Sequence, residues 1–173
     1  KKRRRLRVPT CQLTGAYQEH NMQTAYVALQ ALRYADPTLP LMRDQYIADA
    51  YAHVIDWTGL MGRWQVVEQE PMVICDTGHN SHGLKYVMQQ LRDLQTSTNT
   101  LRIVLGMVQD KDIDQVLPLL PKDAVYYFTQ ANTSRAIPAE QLLKKYQKHI
   151  GEEVAIHASA YATVSEALLQ AKR

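Results

Sequence analysis

The amino-acid sequence predicts an α/β fold with a mainly parallel sheet, flanking helices and an antiparallel hairpin strand at its start. From residue 72 onward, short apolar runs alternate with segments in which apolar residues recur at helical spacing. Several of the runs end at glycine or at a cluster of polar residues, which is typical of loops. Strands that alternate with helices indicate βαβ units, and these units pair their strands in parallel.

The first part of the chain is predicted to be mostly helical. Residues 10–13 are a strand candidate, and Asn21 is a candidate cap for a helix that ends near Arg33. A second helix is predicted over residues 42–54. The residues expected to face inward from these two helices are Ala25, Ala28, Leu29 and Leu32 in the first, and Ile47, Ala50, Tyr51 and Val54 in the second.

A domain junction is predicted in the loop at residues 58–63, which contains two glycines. We therefore expect residues 1–59 to be the end of one domain with its linker helices, and residues 60–173 to form a second domain. Both ends of the chain interrupt the expected rhythm of elements, so we expect a piece of a longer polypeptide.

A hairpin is predicted from residues 64–68 and 72–75, with the second strand buried and Cys75 in the core. Polarity then changes abruptly at Asp76, so residues 76–80 are expected to form a loop. Ser81 is a candidate cap for the following helix. The apolar stripe expected for that helix is Leu84, Val87, Met88, Leu91 and Leu94.

The remaining elements alternate regularly along the chain. The predicted strands are residues 101–106, 124–129 and 154–158. The predicted helices are residues 112–120, 138–149 and 162–172.

Composition indicates a globular protein of the cytoplasm. Of the 173 residues, 46% are hydrophobic and 21% are charged. No apolar run approaches the roughly 20 residues of a membrane helix, and no secretory signal opens the chain. Two cysteines do not make a disulfide framework. We therefore expect no membrane partner.

The net charge of +3 comes from one end of the chain. Six of the 20 basic residues lie among the first seven positions, so the other 14 basic residues face 17 acidic ones. Such a run is either a nucleic-acid arm or a solvated end. Aromatic residues do not interleave with it, and we therefore favour the solvated end and expect no nucleic-acid partner.

The segment around Asp76, which includes His79 and His82, allows four interpretations from the residues alone. Asp-Thr-Gly resembles half of an aspartic protease site, although such enzymes need two aspartates that share a proton. His79 and His82 are spaced as a possible metal pair, but other ligand clusters are missing, and we expect no metal site. The Asp76 carboxylate suits ribose hydroxyls, as acids at strand ends do, or it caps a turn. As a loop carboxylate, it is not expected to support the core.

Polar or charged side chains follow successive strands of the predicted sheet. Arg63 precedes Asp76 by about a dozen residues, and a guanidinium there suits a phosphate. The run Gln-Asp-Lys-Asp at residues 109–112 and the run Thr-Ser-Arg at residues 133–135 follow the next two strands. Because the carboxyl ends of parallel strands meet at one edge, we expect these loops to converge there.

Five groups of residues stand in a distinctive order: Tyr17-Gln18 with Asn21, Gly62-Arg63, Asp76-Thr77-Gly78-His79-Asn80, Gly106 with Asp110-Lys111-Asp112, and Thr129 with Arg135-Ala136. In this order the chain resembles the folylpolyglutamate synthase/dihydrofolate synthase family of the Mur ligase superfamily. The resemblance covers residues 14–173. The Asp-x-x-His-Asn loop is shared across the superfamily, and the Gly…Asp-Lys-Asp stretch favours its folate branch.

The resemblance implies a Rossmann-like, Mur ligase C-terminal domain that lacks its last strand and helix. It implies that Asn21, Arg63 and Asp76 contact ATP and that His79 is a catalytic candidate. The side chains that it implies for substrate-side loops are Asp110, Lys111, Asp112, Ser134 and Arg135. Ser81 stands where the family often has proline, and both suit the start of a helix.

The implied activity is ATP-dependent addition of L-glutamate to a folate or to dihydropteroate through an acyl phosphate. The family's phosphate loop, Mg²⁺ ligands and modified lysine are not found in this chain. We therefore expect them in a missing amino-terminal ATPase domain of the same polypeptide, and we expect the fragment alone to be inactive. The alternatives are a cell-wall Mur ligase and a non-catalytic nucleotide-binding module.

Overall fold

The structure, a computed structural model, describes residues 10–39, 43–109, 113–151 and 155–173. The chain divides into two compact units, of which the first ends at Thr77 and the second begins at Gly78. The predicted domain boundary between residues 59 and 60 stays a prediction. The basic run at residues 1–7 lies outside the described residues.

The first unit consists of helices followed by a hairpin. Its elements are helices α1 (Gln18–Ala35), α2 (Asp44–Ala52) and α3 (Val54–Thr58), and strands β1 (Gln65–Gln69) and β2 (Met72–Cys75). The strands pair antiparallel, with Gln65 opposite Cys75 and Gln69 opposite Met72. The predicted hairpin is therefore confirmed.

The predicted burial of β2 is wrong. Met72 and Cys75 are exposed, and Val73 and Ile74 are only half-buried. Among the described residues, β2 is paired only with β1 and lies outside the parallel sheet. A two-stranded ribbon leaves much of its surface uncovered, whereas a strand inside a larger sheet is packed on both sides.

Helix α1 begins earlier than predicted. It starts at Gln18, whose backbone N–H donates to the Gly15 carbonyl at 2.8 Å, so Asn21 lies in the first turn and does not cap the helix. The expected apolar stripe is also wrong, because Ala25, Ala28 and Leu32 are exposed and Leu29 is half-buried.

The second predicted helix is divided at His53 into α2 and α3, and α2 buries Ile47 as expected. The strand candidate at residues 10–13 is wrong. Gln12 instead accepts at its side-chain oxygen from the Ile55 backbone N–H at 2.7 Å, and its amide donates to Asp56 Oδ2 at 2.8 Å. This side chain satisfies donors that the start of α3 would otherwise leave unpaired.

The second unit opens with helix α4 (Ser81–Leu94), which buries Leu84, Val87 and Met88. Its cap is Asn80, whose side-chain oxygen accepts from the Gly83 N–H at 2.7 Å. The interpretation of Ser81 as the cap is therefore wrong by one position. The last member of the predicted stripe, Leu94, is exposed.

A three-stranded parallel sheet in the order β3-β4-β5 forms the centre of the second unit, which confirms the predicted α/β class. Its strands are β3 (Arg102–Leu105), β4 (Val125–Phe128) and β5 (Ala158–Ala160). The flanking helices are α5 (Ile113–Val116), a 3₁₀ turn (Leu117–Leu119), α6 (Ala139–Ile150) and α7 (Val164–Ala171). The strand predicted over residues 154–158 lies later in the chain, because a 3₁₀ turn occupies Ala155–His157.

The core of this unit is aromatic on one face of the sheet. Tyr126 and Phe128 lie two residues apart on β4 and therefore share a face. The ring centroid of Tyr146 in α6 lies 4.7 Å from that of Tyr126 and 5.1 Å from that of Phe128. The hydroxyl of Tyr126 donates to the Pro121 carbonyl at 2.6 Å, which satisfies a buried polar group. This core supports the loops at the carboxyl ends of β3 and β4.

Candidate functional site

Asp76 is the centre of a hydrogen-bonded cluster in the first unit. The residue follows β2 directly and is half-buried. Its Oδ2 atom accepts from the Tyr17 hydroxyl at 2.8 Å and from the Trp64 backbone N–H at 2.8 Å. Two donors on one oxygen fix the orientation of the carboxylate, so this side chain does more than cap a turn.

Trp64 has an unusual backbone for a residue with a large side chain. Its φ angle is +52°, in the left-handed region, and only 6% of the residue is exposed. Non-glycine residues adopt this conformation rarely. Here it directs the Trp64 N–H to Asp76, and the buried indole anchors the start of the hairpin.

Arg63 is connected to the same cluster through Thr77. The guanidinium donates from Nη1 to Thr77 Oγ1 at 2.9 Å. The Thr77 hydroxyl and backbone N–H both donate to the Gly62 carbonyl, at 3.0 and 2.8 Å. Gly62 has φ +72°, and a Cβ there would lie 2.7 Å from Thr77 Cγ2, so glycine is required by conformation and by space.

The phenol of Tyr17 is flanked by opposite charges. Burial raises its pKa, the hydrogen bond to Asp76 and the charge of that carboxylate raise it further, and the nearby Arg63 guanidinium lowers it. The net shift is upward from an ordinary value of 10.0. Tyr17 therefore stays protonated at neutral pH and remains a hydrogen-bond donor to Asp76.

Asn21 lies one helical turn after Tyr17 in α1. Its side chain is exposed at the helix surface and donates to Gln18 Oε1 at 2.9 Å, and Gln18 itself is buried. The first unit thus contains all three residues that the family resemblance assigns to ATP. Arg63 bonds to Thr77 and the neighbouring Trp64 bonds to Asp76, so the two segments are paired by adjacent contacts, and Tyr17 links Asp76 to the helix that carries Asn21.

Sequence reasoning did not assign a role to Tyr17, Trp64 or Thr77. Tyr17 was part of the distinctive residue order, but nothing in its local sequence indicates a partner near residue 76. The left-handed conformation of Trp64 had no sequence signal either, because tryptophan does not favour it.

The loops after β3 and β4 meet in the second unit, as predicted. The Gln109 N–H donates to the Arg135 carbonyl at 2.8 Å, the Ile137 N–H donates to the Met107 carbonyl at 2.9 Å, and Val108 forms an antiparallel bridge with Ala136. These contacts place the exposed residues Ser134 and Arg135 beside the loop after β3. Asp110, Lys111 and Asp112 lie outside the described residues.

His79 is exposed just before α4. Convergence of the Asp76 loop with the loops after β3 and β4 stays a prediction, because these segments belong to different units. In the part of the chain that the structure describes, three or more His, Cys, Asp or Glu side chains do not gather as a metal site would require. The described helices also include none with the length and apolarity of a membrane span.

Residues 62–173 match the domain family described as Mur ligase, glutamate ligase domain. The chain therefore belongs to the Mur ligase family through its glutamate ligase domain. It is 33% identical over 140 residues to dihydrofolate synthase/folylpolyglutamate synthase of Escherichia coli, an alignment that covers 80% of this chain and 30% of that protein.

Solved structures agree with this assignment. The Escherichia coli protein FolC in complex with DHPP and ADP has a TM-score of 0.60 and 30% identity, over 83% of this chain and 31% of its own. The Yersinia pestis bifunctional folylpolyglutamate synthase/dihydrofolate synthase complexed with AMPPNP and Mn ion has a TM-score of 0.66 and 28% identity, over 98% of this chain and 36% of its own. The predicted resemblance is confirmed, and the chain spans about a third of the length of these relatives.

Proposed function

We propose that this chain is the carboxy-terminal part of an ATP-dependent ligase that adds L-glutamate to a folate, to dihydropteroate, or to both. The observation that carries the proposal is the identity to the Escherichia coli dihydrofolate synthase/folylpolyglutamate synthase over four fifths of this chain. When bound, ATP supplies the phosphoryl group that activates a substrate carboxylate for attack by an amino group. The remaining parts of the activity are proposed to reside in an amino-terminal ATPase domain of the same polypeptide.

Arg63, Asp76 and Asn21 are the proposed ATP contacts in this chain. The Arg63 guanidinium has the charge and the planar donor geometry that suit a phosphate. Support for a common role is that Asp76 and Arg63 are held by adjacent contacts between the same two segments, Asp76 with the Trp64 N–H and Arg63 with Thr77. The two donors on Asp76 Oδ2 would keep the carboxylate oriented while it accepts from ribose hydroxyls.

Mg²⁺ is proposed to bind with the nucleotide phosphates through residues outside this chain. The Yersinia pestis relative, which is complexed with AMPPNP and a Mn ion, supports a divalent cation beside the nucleotide. The described residues of this chain do not offer a cluster of ligands for it. For the substrate-side loops, we propose Ser134, Arg135 and the segment 110–112, with His79 near the reacting groups. The cationic Arg135 and its position beside the loop after β3 support this role.

The proposed location is the cytoplasm. Cys11 and Cys75 are both free thiols, as is usual in a reducing compartment. The proposed small-molecule partners are ATP, L-glutamate, and a folate or dihydropteroate.

The test is an assay of the full-length protein with ATP, L-glutamate and either dihydropteroate or tetrahydrofolate. We expect ADP release that depends on the pterin substrate, and a product heavier by one glutamyl residue in mass spectrometry. A parallel assay contains nucleotide-linked cell-wall peptide precursors in place of the pterin. Ligation of those precursors without reaction of either pterin substrate would assign the protein to the cell-wall branch and refute the proposal.

A further inference from the structure

We propose that Tyr17 is a positioning residue for the nucleotide, and that its hydroxyl keeps the Asp76 carboxylate aligned with the helix that carries Asn21. This inference rests on the proposed function, because it assumes that Asp76 and Asn21 face ATP. It adds a residue to which the family resemblance assigns no role. It also explains how side chains far apart in sequence are held in one arrangement.

The first support is the geometry at Asp76. The Tyr17 hydroxyl and the Trp64 N–H both lie 2.8 Å from the same oxygen atom, Oδ2. The bond from Trp64 comes from a buried backbone within the same hairpin, so it fixes the carboxylate relative to β1 and β2. The bond from Tyr17 connects this carboxylate to α1.

The second support is the hydrogen-bonded turn around Tyr17. The Gln18 N–H donates to the Gly15 carbonyl at 2.8 Å, and the Asn21 N–H donates to the Tyr17 carbonyl at 3.4 Å. The Asn21 side chain then returns to Gln18 Oε1 at 2.9 Å. Because a helix rises about 1.5 Å per residue, Asn21 lies roughly 6 Å along the axis from Tyr17. A shift of Tyr17 would therefore move Asn21 with it.

The third support is electrostatic. The Tyr17 phenol is close enough to both charged groups for the Asp76 carboxylate to raise its pKa and for the Arg63 guanidinium to lower it. Tyr17 thus contacts the two side chains that are proposed to hold the ribose and the phosphates. Its pKa lies above the ordinary value, so it donates to Asp76 throughout the neutral range.

Tyr51 provides a matched control. Its hydroxyl donates to the Met22 carbonyl at 2.9 Å, so it also ties α1 to the rest of the unit. Like Tyr17 it is half-buried, and burial raises its pKa. The acceptor of its hydroxyl is a backbone carbonyl, and that carbonyl has no proposed role in ligand binding.

The experiment compares the full-length wild type with Tyr17→Phe and Tyr51→Phe. Titration calorimetry with Mg-ATP gives the Kd, steady-state assays give KM for ATP and kcat, and thermal melts give Tm. We expect Tyr17→Phe to raise the Kd and KM for ATP about tenfold, as expected for loss of a hydrogen bond to a charged group. Tyr51→Phe should lower Tm about as much as Tyr17→Phe does, because each loses one hydrogen bond. It should leave the Kd for ATP within about twofold of the wild type.

A second comparison tests whether Tyr17 acts through Asp76. In an Asp76→Ala background, Tyr17→Phe should not weaken ATP binding further, because its partner is already absent. Additive losses in the double variant would overturn the inference. Equal losses of ATP affinity in Tyr17→Phe and Tyr51→Phe would also overturn it, as would an unchanged Kd in Tyr17→Phe or a wild type that does not bind ATP. A wild type that binds ATP but does not glutamylate pterins refutes the proposed function and leaves the Kd comparison to decide on Tyr17.

Discussion

The Tyr17 hydroxyl lies 2.8 Å from Asp76 Oδ2, although 59 residues separate the two along the chain. The same oxygen accepts from the Trp64 N–H, in a segment with a left-handed backbone. Asp76 is therefore a structural residue of the first unit as well as a proposed nucleotide contact. Because two donors from different segments bond to this carboxylate, we expect it to contribute to folding, in contrast to the sequence-based expectation that it does not support the core.

Replacement of Asp76 by Ala should affect both stability and nucleotide use. It leaves the Trp64 N–H and the Tyr17 hydroxyl without their acceptor, so we expect the free energy of unfolding to fall by about 1–3 kcal/mol. Asp76→Asn keeps an acceptor oxygen and should lose less. Urea unfolding measures the change, with Asp49→Ala as an exposed acidic control in the same unit. If Asp76→Ala is as stable as the wild type, these hydrogen bonds do not contribute to folding.

In the full-length protein we expect Asp76→Ala to lower kcat/KM for ATP about 10- to 100-fold.

Replacement of Arg63 by Ala should lower kcat/KM for ATP at least as strongly as Asp76→Ala. Arg63→Lys keeps the charge but loses the planar arrangement of donors, so it should restore activity only in part. Steady-state kinetics of the full-length protein at varied ATP measure both effects. Arg43→Ala, at an exposed arginine before α2, is the control and should retain wild-type values. Normal kinetics in a folded Arg63→Ala variant would remove Arg63 from the proposed ATP contacts.

Gly62→Ala should destabilise the first unit more than Gly59→Ala. Both glycines have left-handed φ angles, +72° and +65°, so both substitutions carry a conformational cost of about 1–2 kcal/mol. Only at Gly62 does the new Cβ meet another group, Thr77 Cγ2 at 2.7 Å. Thr77→Ser removes that methyl group and keeps the hydroxyl, so it should recover part of the loss in a Gly62→Ala background. Thermal melts of these three variants measure the changes in stability, and equal effects at both glycines would exclude the clash.

Asn80→Ala should destabilise the second unit by about 1 kcal/mol, because it removes the side-chain acceptor for the Gly83 N–H. Ser81→Ala is the matched control, since Ser81 is already the first helical residue. It loses only an exposed contact of 3.2 Å with Gln115 and should change stability by less than about 0.5 kcal/mol. Chemical unfolding of both variants decides between the two caps, and a larger loss at Ser81 would restore the sequence-based assignment.

The second unit should lose stability in alkali through Tyr126. Burial raises the pKa of this phenol above its ordinary value of 10.0, with the neighbouring Tyr146 as a further cause. A tyrosine with a raised folded-state pKa stabilises the fold below its unfolded pKa, and this stabilisation decreases as the pH rises above about 10. Urea unfolding between pH 7 and 11 should therefore show a shallower loss for Tyr126→Phe than for the wild type. Tyr34→Phe, at a tyrosine that is 91% exposed, should follow the wild type at every pH. A wild-type profile that is flat above pH 10 would contradict this account.

Local patterns in the sequence predicted most of the second unit correctly. The apolar run of β4 and the helical spacing of apolar residues in α4 and α6 each lie within one short segment. Each element could therefore be located without knowing which elements pack against it. The hairpin of β1 and β2 was found in the same way. The order of the five residue groups from Tyr17 to Ala136 indicated the family, because each group is short and local in sequence.

Only the tertiary structure decided how Asp76 is used. Its donors come from Tyr17, before the first helix, and from the backbone of Trp64, in a conformation that tryptophan seldom adopts. The choice of Asn80 over Ser81 as helix cap also depended on where the chain leaves the loop. In each case the sequence offers several side chains that are able to form the hydrogen bond. Which of them does so depends on the distance and angle that the packed chain imposes, and these are not encoded in local periodicity.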